Sequence, residues 1–583
     1  MKARGKEQSE EKRFAGRVAL LGAFFILFFG VVAARAVHLQ VVIRSFLSQK
    51  AENQYTRNLG LVSRRGVIYD AMHREFAITL DVMEVAVRPR KVKDKEAAAA
   101  ELARCLELPP AEVKSKLDGS RAFVYLKRDA SLVQASRVKE LNIPGVDLAP
   151  STRRIYPQRN LAAQVVGFCG VDGHGMEGLE FRYDSQLAGE GSQWTVLRDA
   201  LGRSIAEAAD GPRMQGGNNL VLTLDQTIQG LAEQALAAQV EKYRAQGGMV
   251  VVMNPRTGGI LAMANVPLTN PNDYGSFEKS LWRNRTVTDA YEPGSVMKVF
   301  MAAAALESGL VRPDTIFDCE MGSYRVGRNV VHDVHPHGVL NLGDIVKYSS
   351  NIGALKVTRT IGKQTFYQTL RSFGFGGRLG IDLPGESPGG LSDCARWRDI
   401  DFATISFGQG VSVSALQLAS AVSAIANGGA LMRPHLVQAI TDSSGKVVKS
   451  FEPEVMSRPV SPETARTTAQ LMTAVVLPGG TGTQAALDGY TCCGKTGTAQ
   501  KVSETGGYAK GRYIAAFVGF APVEDPVLTI VVLVDEPRGA MYGGVVSAPA
   551  FRAIAQKALQ YYNIPPRVET PGISTCSAGD GRA

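Results

Sequence analysis

Tyr291-Glu292-Pro293-Gly294-Ser295-Val296-Met297-Lys298 marks the point where a loop gives way to a long apolar run. Pro293 and Gly294 close the loop. Val296 to Leu306 then reads as an Ala-rich helix, with Ser295 at its N-terminal end. Lys298 follows three residues on, on the same helical face and within reach of the serine. No other ionisable residue lies between Ser295 and Glu307. If that helix is buried, desolvation lowers the lysine pKa. A neutral amine there can take the proton that a serine otherwise holds too tightly to act as a nucleophile. Taken alone, the spacing fits an N-capping serine and a lysine reaching out of a core helix equally well.

Two further motifs follow. Ser349-Ser350-Asn351 precedes another apolar helical stretch. Its first hydroxyl can pass a proton between the lysine and a leaving amine, and its amide can hold a peptide carbonyl; by itself it reads as a helix N-cap. Lys495-Thr496-Gly497-Thr498 lies just past a turn and leads toward a strand. A glycine on an edge strand admits a close-lying backbone, and the Lys and Thr side chains suit a carboxylate. The order S-x-x-K, S-x-N, K-T-G, at intervals of about 50 and about 145 residues, is rarely reached by chance.

The surroundings of these motifs set the fold. Asn219–Leu224 begins a region with a helical pattern over Thr227–Ala245. Met249–Met253, the turn residues NPRTGG and Ile260–Ala264 give a hairpin signal. Far along the chain, Tyr513–Phe520 and Val527–Val534 flank the tight loop APVEDP. A helix follows to about Tyr562, with Ser547 expected as its N-cap and Pro549 in its first turn. Strands at both ends with helices between predict one α+β domain over 219–563 whose sheet unites sequence-distant hairpins. Residues 37–215 mix strand-like stretches (Val82–Val87, Ala122–Leu126) with helical ones such as Lys93–Leu106. The polar stretch Gly211–Asn219 is the expected boundary, and 564–583 reads as a disordered tail.

Between Arg17 and Arg35 lie seventeen uncharged residues with four Phe, a rise of roughly 26 Å against a hydrocarbon core of about 30 Å. Arginines at both ends and the following AVHLQVVI can make up the shortfall. The run exceeds a signal-peptide core, and an arginine interrupts its A-x-A site. Residues 18–36 are therefore expected as an uncleaved transmembrane anchor. Lys2, Arg4, Lys6, Lys12, Arg13 and Arg17 keep residues 1–17 in the cytoplasm.

Lys and Arg total 65 against 55 Asp and Glu, a net charge of +10 with no dense basic stripe, which argues against nucleic acid. Seven cysteines without a C-x-x-C pair exclude a disulfide scaffold and a cysteine metal site. Adjacent Cys492 and Cys493 are expected as small packed side chains. His332, His335 and His337 crowd beside Asp333, but the chemistry of the three motifs needs no metal.

The three motifs, with YEPGS at the first and GKTGTAQ at the last, resemble those of the penicillin-binding protein and serine β-lactamase superfamily. Further stretches are similar to class B penicillin-binding proteins. These are Arg65-Gly66-Val67-Ile68-Tyr69-Asp70, Arg154-Ile155-Tyr156-Pro157, Gly175-Met176-Glu177-Gly178-Leu179-Glu180, Asp199-Ala200-Leu201-Gly202-Arg203, Gly408-Gln409-Gly410 and Asn427-Gly428-Gly429. The short gap from Gly167-Phe168 to Gly175 resembles the division-specific FtsI type. One turn departs: after Asp70 the family usually has Arg-Asn-Gly, and this chain has Ala71-Met72-His73.

The resemblance implies a transmembrane helix, an elongated mixed α/β pedestal of dimerisation type (37–215) and a transpeptidase domain with a central antiparallel sheet flanked by helices. It implies that Ser295 attacks the penultimate D-Ala carbonyl of a stem peptide and D-Ala leaves. Lys298 is then the general base and Ser349 the relay, while Asn351 positions the donor. Lys495 supports the charge network, and Thr496, Gly497 and Thr498 bind substrate, the threonines holding its carboxylate. Backbone N–H groups of Ser295 and Thr498 would form the oxyanion hole. The implied partners are stem peptides (a D-Ala-D-Ala donor and an amine acceptor), β-lactams as covalent inhibitors, an FtsW-type glycosyltransferase and other divisome proteins. The implied place is the cytoplasmic membrane, crossed once, with the catalytic domain outside; no cofactor is needed. A β-lactamase or β-lactam sensor would leave 37–215 without a role, and no lactamase E-x-x-L-N segment follows Asn351. A non-catalytic scaffold is at odds with intact catalytic positions.

Overall fold

The computed structural model describes residues 4–47, 56–61, 64–189, 192–197, 216–503 and 506–567. Asp199–Arg203 lies outside them, as do 211–215 of the expected boundary and 568–583 of the expected tail. The chain forms two compact units, one of Met1–Val62 with Gly191–Met214 and one of Ser63–Glu190 with Gln215–Ala583.

In the first unit a helix runs over Arg4–Val37 and continues as a π-helical turn, His38–Val42. Phe14–Val42 is long and apolar enough to cross a membrane. Its 29 residues rise roughly 44 Å, so the shortfall suggested by the seventeen-residue run disappears. Thr56–Leu61 and Ser192–Leu197 pair antiparallel in the same unit.

The second unit holds two large sheets. Strands β1 (Gly247–Met253), β2 (Ile260–Val266), β3 (Cys493–Val502), β4 (Tyr508–Ala521) and β5 (Leu528–Asp535) form one sheet in the order β3-β4-β5-β1-β2. All its pairings are antiparallel, and the β5–β1 ladder from Asp535↔Gly247 to Thr529↔Met253 joins the two sequence-distant hairpins. Every residue of β5 is buried, and Ile530–Val534 reads as a continuous apolar run rather than an alternating one. The pleat divides these side chains between two cores. Val250, Val252, Val532 and Val534 pack with helices α1 (Gln226–Lys242) and α6 (Ala548–Tyr561). Val251, Met253, Val531 and Leu533 pack with α2 (Met297–Glu307), α3 (Asn351–Ile361), α4 (Ala415–Ala426) and α5 (Pro462–Val476) on the other face. The expected capping role of Ser547 is not taken up. Its side chain makes no cap bond, and its hydroxyl donates instead to the Ala515 carbonyl, 2.9 Å away on β4.

The second sheet has seven strands and unites the two regions on either side of the expected boundary. Glu75–Val87 pairs with Val124–Ala130, Val146–Ile155 and Ile68–Tyr69. Ile68–Tyr69 lies parallel to Asn219–Leu222, which continues into Val437–Thr441 and Val447–Ser450. Behind it Glu180 is fully buried between Arg65 and Arg154, at 2.6 and 2.7 Å. The divergent turn after Asp70 is sound: the Asp70 carboxylate accepts from the Met72 and Arg74 amides, and His73 adopts φ +59°, the conformation glycine would otherwise supply.

Candidate active site

Gly294–Val296 form a single 3₁₀ turn that runs directly into α2. Gly294 sits at φ +55° and donates to the Gly408 carbonyl, 3.1 Å away, which anchors the turn. Ser295 therefore projects from a tight turn and does not cap the helix. From Met297 to Ala305 every residue of α2 is buried, Lys298 completely. Its nitrogen lies 3.2 Å from Ser295 Oγ, 3.1 Å from Ser349 Oγ and 2.7 Å from Asn351 Oδ1, and also meets the Ser349 carbonyl. As a neutral amine this nitrogen has two protons to donate and one lone pair, so among its four oxygen neighbours a hydroxyl, of Ser295 or Ser349, can donate to it. Burial is the main cause that holds this lysine well below the usual amine range; the charge of Lys495 adds to it and Asp333 opposes it.

Ser349 follows the short helix Leu342–Tyr348 at φ +65°, a conformation that costs a non-glycine residue about 1–3 kcal/mol. It aims both its carbonyl and its hydroxyl at Lys298. The next residue, Ser350, is the actual N-cap of α3, accepting from Gly353 N at 2.9 Å. Thus the S-x-N motif is both a helix cap and a site: Ser350 caps, while Ser349 and Asn351 face the lysine.

Lys495 reaches the same hydroxyl from β3. Its nitrogen is 3.0 Å from Ser349 Oγ, and burial pushes its pKa down to about 7. On this edge strand Thr496 Oγ1 lies 3.0 Å from Thr481 Oγ1, and Thr498 Oγ1 accepts weakly from Gly543 N at 3.4 Å. Gly497, expected to make room for a substrate backbone, also makes room within the protein. A Cβ there would lie 2.9 Å from both the Pro293 carbonyl and Val296, so the glycine admits the nucleophile turn itself. All eight residues expected at the site converge on one cleft: six line it, and Lys298 and Lys495 lie buried beneath its floor. The cavity measures about 600 Å³.

Several contributors were not legible. Asp333 accepts from Ser350 Oγ (2.6 Å) and from the Asn351 and Ile352 amides, a carboxylate at the positive end of α3. Among its neighbours His337 stacks on Tyr348, while His332 and His335 line the cleft. Among the described residues no cluster of three or more His, Cys, Asp or Glu side chains is arranged for a metal. Glu292, one residue before Pro293, accepts from Gly410 N at 2.7 Å and Tyr508 OH at 3.0 Å, tying the Gly408–Gly410 loop and β4 to the nucleophile turn. Cys492 and Cys493 are buried free thiols at the start of β3, Cys493 being its first residue.

The family model of the penicillin-binding protein transpeptidase domain matches residues 248–556, and that of the penicillin-binding protein dimerisation domain residues 61–222. The chain is 36% identical over 572 residues to the probable peptidoglycan D,D-transpeptidase PenA of Neisseria meningitidis serogroup B, with 96% of each covered. It is 33% identical over 577 residues to the peptidoglycan D,D-transpeptidase FtsI of Escherichia coli K12, covering 97% of this chain and 95% of that one. Its structure aligns with that of penicillin-binding protein 3 from Mycobacterium tuberculosis complexed with aztreonam at a TM-score of 0.69 and 30% identity, covering 87% of this chain and 98% of that one.

Proposed function

The chain belongs to the penicillin-binding proteins of the FtsI and PenA type, and from that membership we infer a serine D,D-transpeptidase that cross-links peptidoglycan stem peptides. Ser295 Oγ attacks the penultimate D-Ala carbonyl while Lys298, kept neutral by burial, takes its proton. The Ser295 and Thr498 amides hold the oxyanion, a contribution of about 3–4 kcal/mol per donor in comparable sites. One Asn351 Nδ2 proton goes to the His332 carbonyl, leaving the other for the donor peptide. Thr496 and Thr498 take the terminal carboxylate, with Lys495 behind them. Departure of D-Ala needs a proton at its nitrogen, and Ser349 delivers it. The observation that carries this reading is Ser349 Oγ held 3.1 and 3.0 Å from two buried lysine nitrogens. Such a bridge moves protons between base and leaving group without opening the site to water. The same nucleophile turn is open to β-lactams, which acylate Ser295 and block it.

The apolar helix Phe14–Val42 supports a single-pass anchor in the cytoplasmic membrane. The basic residues before it support a cytoplasmic N-terminus and an external catalytic domain. Likeness to FtsI supports septal wall synthesis, and we propose an FtsW-type polymerase and other divisome proteins as its partners there. A fluorescent penicillin tests the chemistry: the wild type becomes covalently and durably labelled, and Ser295→Ala does not, with an unchanged fold by circular dichroism. Undiminished labelling of that variant removes Ser295 from its role, and rapid release of label indicates a lactamase. A fluorescent fusion that ignores the division site argues against the septal assignment.

A further inference from the structure

A second cavity lies apart from the cleft and shares none of its lining residues. It measures about 450 Å³, within the range of about 300–1,000 Å³ usual for small-ligand sites. Gln164, the end of β2 with Pro267, residues 280–289 and the far ends of β3 and β5 contribute to its walls. Two of its side chains are buried amides whose orientation is fixed. Gln164, 5% exposed, donates both Nε2 protons, to the Pro267 and Leu281 carbonyls at 3.1 and 3.3 Å. Its Oε1 is left to accept, and turning the amide over would set that oxygen against two carbonyls. Asn265, 3% exposed, donates from Nδ2 to Asn284 Oδ1 at 2.9 Å, while its own Oδ1 is buried without a donor. A buried oxygen in that state is costly, and a ligand N–H would relieve it.

Charge on these walls is positive on balance. Arg285 joins Asp289 and Asp535, at 3.0 and 2.6 Å, and Arg283 adds to Asp289 at 3.0 Å. Lys501 pairs with Asp535 and with Glu536, which Arg512 also meets. Four cations thus answer three carboxylates, and Arg283, with its side chain 58% exposed, keeps donors free. One excess charge on a guanidinium suits a carboxylate, which it can grip with two parallel bonds. Val266, Pro267 and Leu281 add an apolar wall, and among the described residues no aromatic ring lines the cavity for a sugar to stack on. We propose that this cavity binds a short peptide with a free carboxylate. The carboxylate sits on Arg283, backbone N–H groups donate to Gln164 Oε1 and Asn265 Oδ1, and an aliphatic side chain rests on Val266 and Leu281. An adjoining cavity of about 240 Å³ shares Arg285, Asp289, Lys501 and Asp535. It is lined by Tyr291, whose hydroxyl is again buried without a partner, and by Glu292. The peptide chain therefore has room to continue toward the nucleophile turn.

The test uses the membrane-solubilised full chain, titrated by calorimetry before and after penicillin has blocked the cleft. The probe is N-acetyl-alanyl-leucine, set against its C-terminal amide, glucuronate and inorganic phosphate. The probe is expected to bind saturably and equally in both states, and each of the other three at least tenfold more weakly. Arg283→Glu reverses the excess charge, and Ser280→Trp puts an indole into the cavity. Both residues are exposed, so the fold should stand, and penicillin labelling at the wild-type rate checks that it does. Each substitution should weaken the probe at least tenfold. Absence of saturable binding, or an unmoved affinity in either variant, overturns the proposal. So does an amide, glucuronate or phosphate that binds as tightly as the probe, because the site then does not select a peptide carboxylate. Binding that disappears once penicillin is attached places the probe in the cleft and overturns the proposal as well.

Discussion

Replacing Lys495 by Met tests how the two buried lysines share a proton. Both nitrogens contact Ser349 Oγ, at 3.1 and 3.0 Å, so they can be no more than about 6 Å apart. At an effective dielectric of about 20, two unit charges at about 6 Å repel by about 3 kcal/mol. That repulsion exists only while Lys495 is charged, below about 7, and there it favours the neutral, basic form of Lys298. Methionine keeps the volume and apolar contacts but removes the charge, so Lys298 should hold its proton to higher pH. Acylation by a fluorescent penicillin, followed as a pseudo-first-order rate from pH 5 to 10, reports the effect. The acidic limb of the profile should move upward by as much as about two pH units. The lost bond to Ser349 will also lower the rate at every pH, which is why the position of the limb is the readout and not its height. A limb that stays in place, or moves to lower pH, would mean that Lys495 does not tune the base and the coupling argument is wrong.

Lys298→Arg keeps a cation but not a base, because guanidinium stays protonated throughout the accessible range; acylation should fall at least a hundredfold, and a near-normal rate would assign the base elsewhere. Asp333→Asn exchanges a charged acceptor at the N-terminus of α3 for a neutral one, a loss of about 1–2 kcal/mol. Chemical denaturation should register that loss, accompanied by slower acylation as Ser349 and Asn351 loosen; unchanged acylation would confine Asp333 to stability. Glu180→Gln removes the charge shared by buried Arg65 and Arg154, of which Arg65 keeps Asp184 at 2.6 Å, and the cost should be about 3–5 kcal/mol in denaturant midpoints at pH 7. Glu180 is held below the usual carboxylate range chiefly by these arginines acting against its burial. Its contribution is therefore complete above the ordinary carboxylate value and lost as pH falls through its depressed one. The difference between wild type and Gln variant should shrink in acid.

What could be read in the sequence was whatever sits in local pattern. The hairpins of β1–β2 and β4–β5 showed as apolar runs around turn residues, and the burial of Lys298 followed from an apolar helix with one charge in it. Gly497 was placed on the correct edge strand, but its packing against the nucleophile turn was not legible, since nothing local reveals that the turn lies there. Ser547 had every local mark of a cap, yet the β4 carbonyl of Ala515 competes for its hydroxyl across the sheet. Asp333 was hidden differently: three nearby histidines suggested a metal, and only tertiary placement shows its carboxylate closing the end of α3. Glu292 gave no sign, because its partners Gly410 and Tyr508 lie more than a hundred residues away.

The seven-stranded sheet has a mechanical consequence. Ile68–Tyr69 and Asn219–Leu222 share one parallel ladder, and Arg74 clamps it further by binding Asp70, Thr227 and Asp225. Asp225 is also the N-cap of α1, and its other oxygen accepts from Tyr561 at the end of α6. A load on strand Glu75–Val87 thus meets paired strands and a salt-bridged turn. It enters the ladder as shear, spread over several hydrogen bonds at once, and arrives at the two helices that back the catalytic sheet. Excising residues 219–563 as a free-standing enzyme would strip that ladder and bare a strand edge, inviting the fragment to pair with copies of itself.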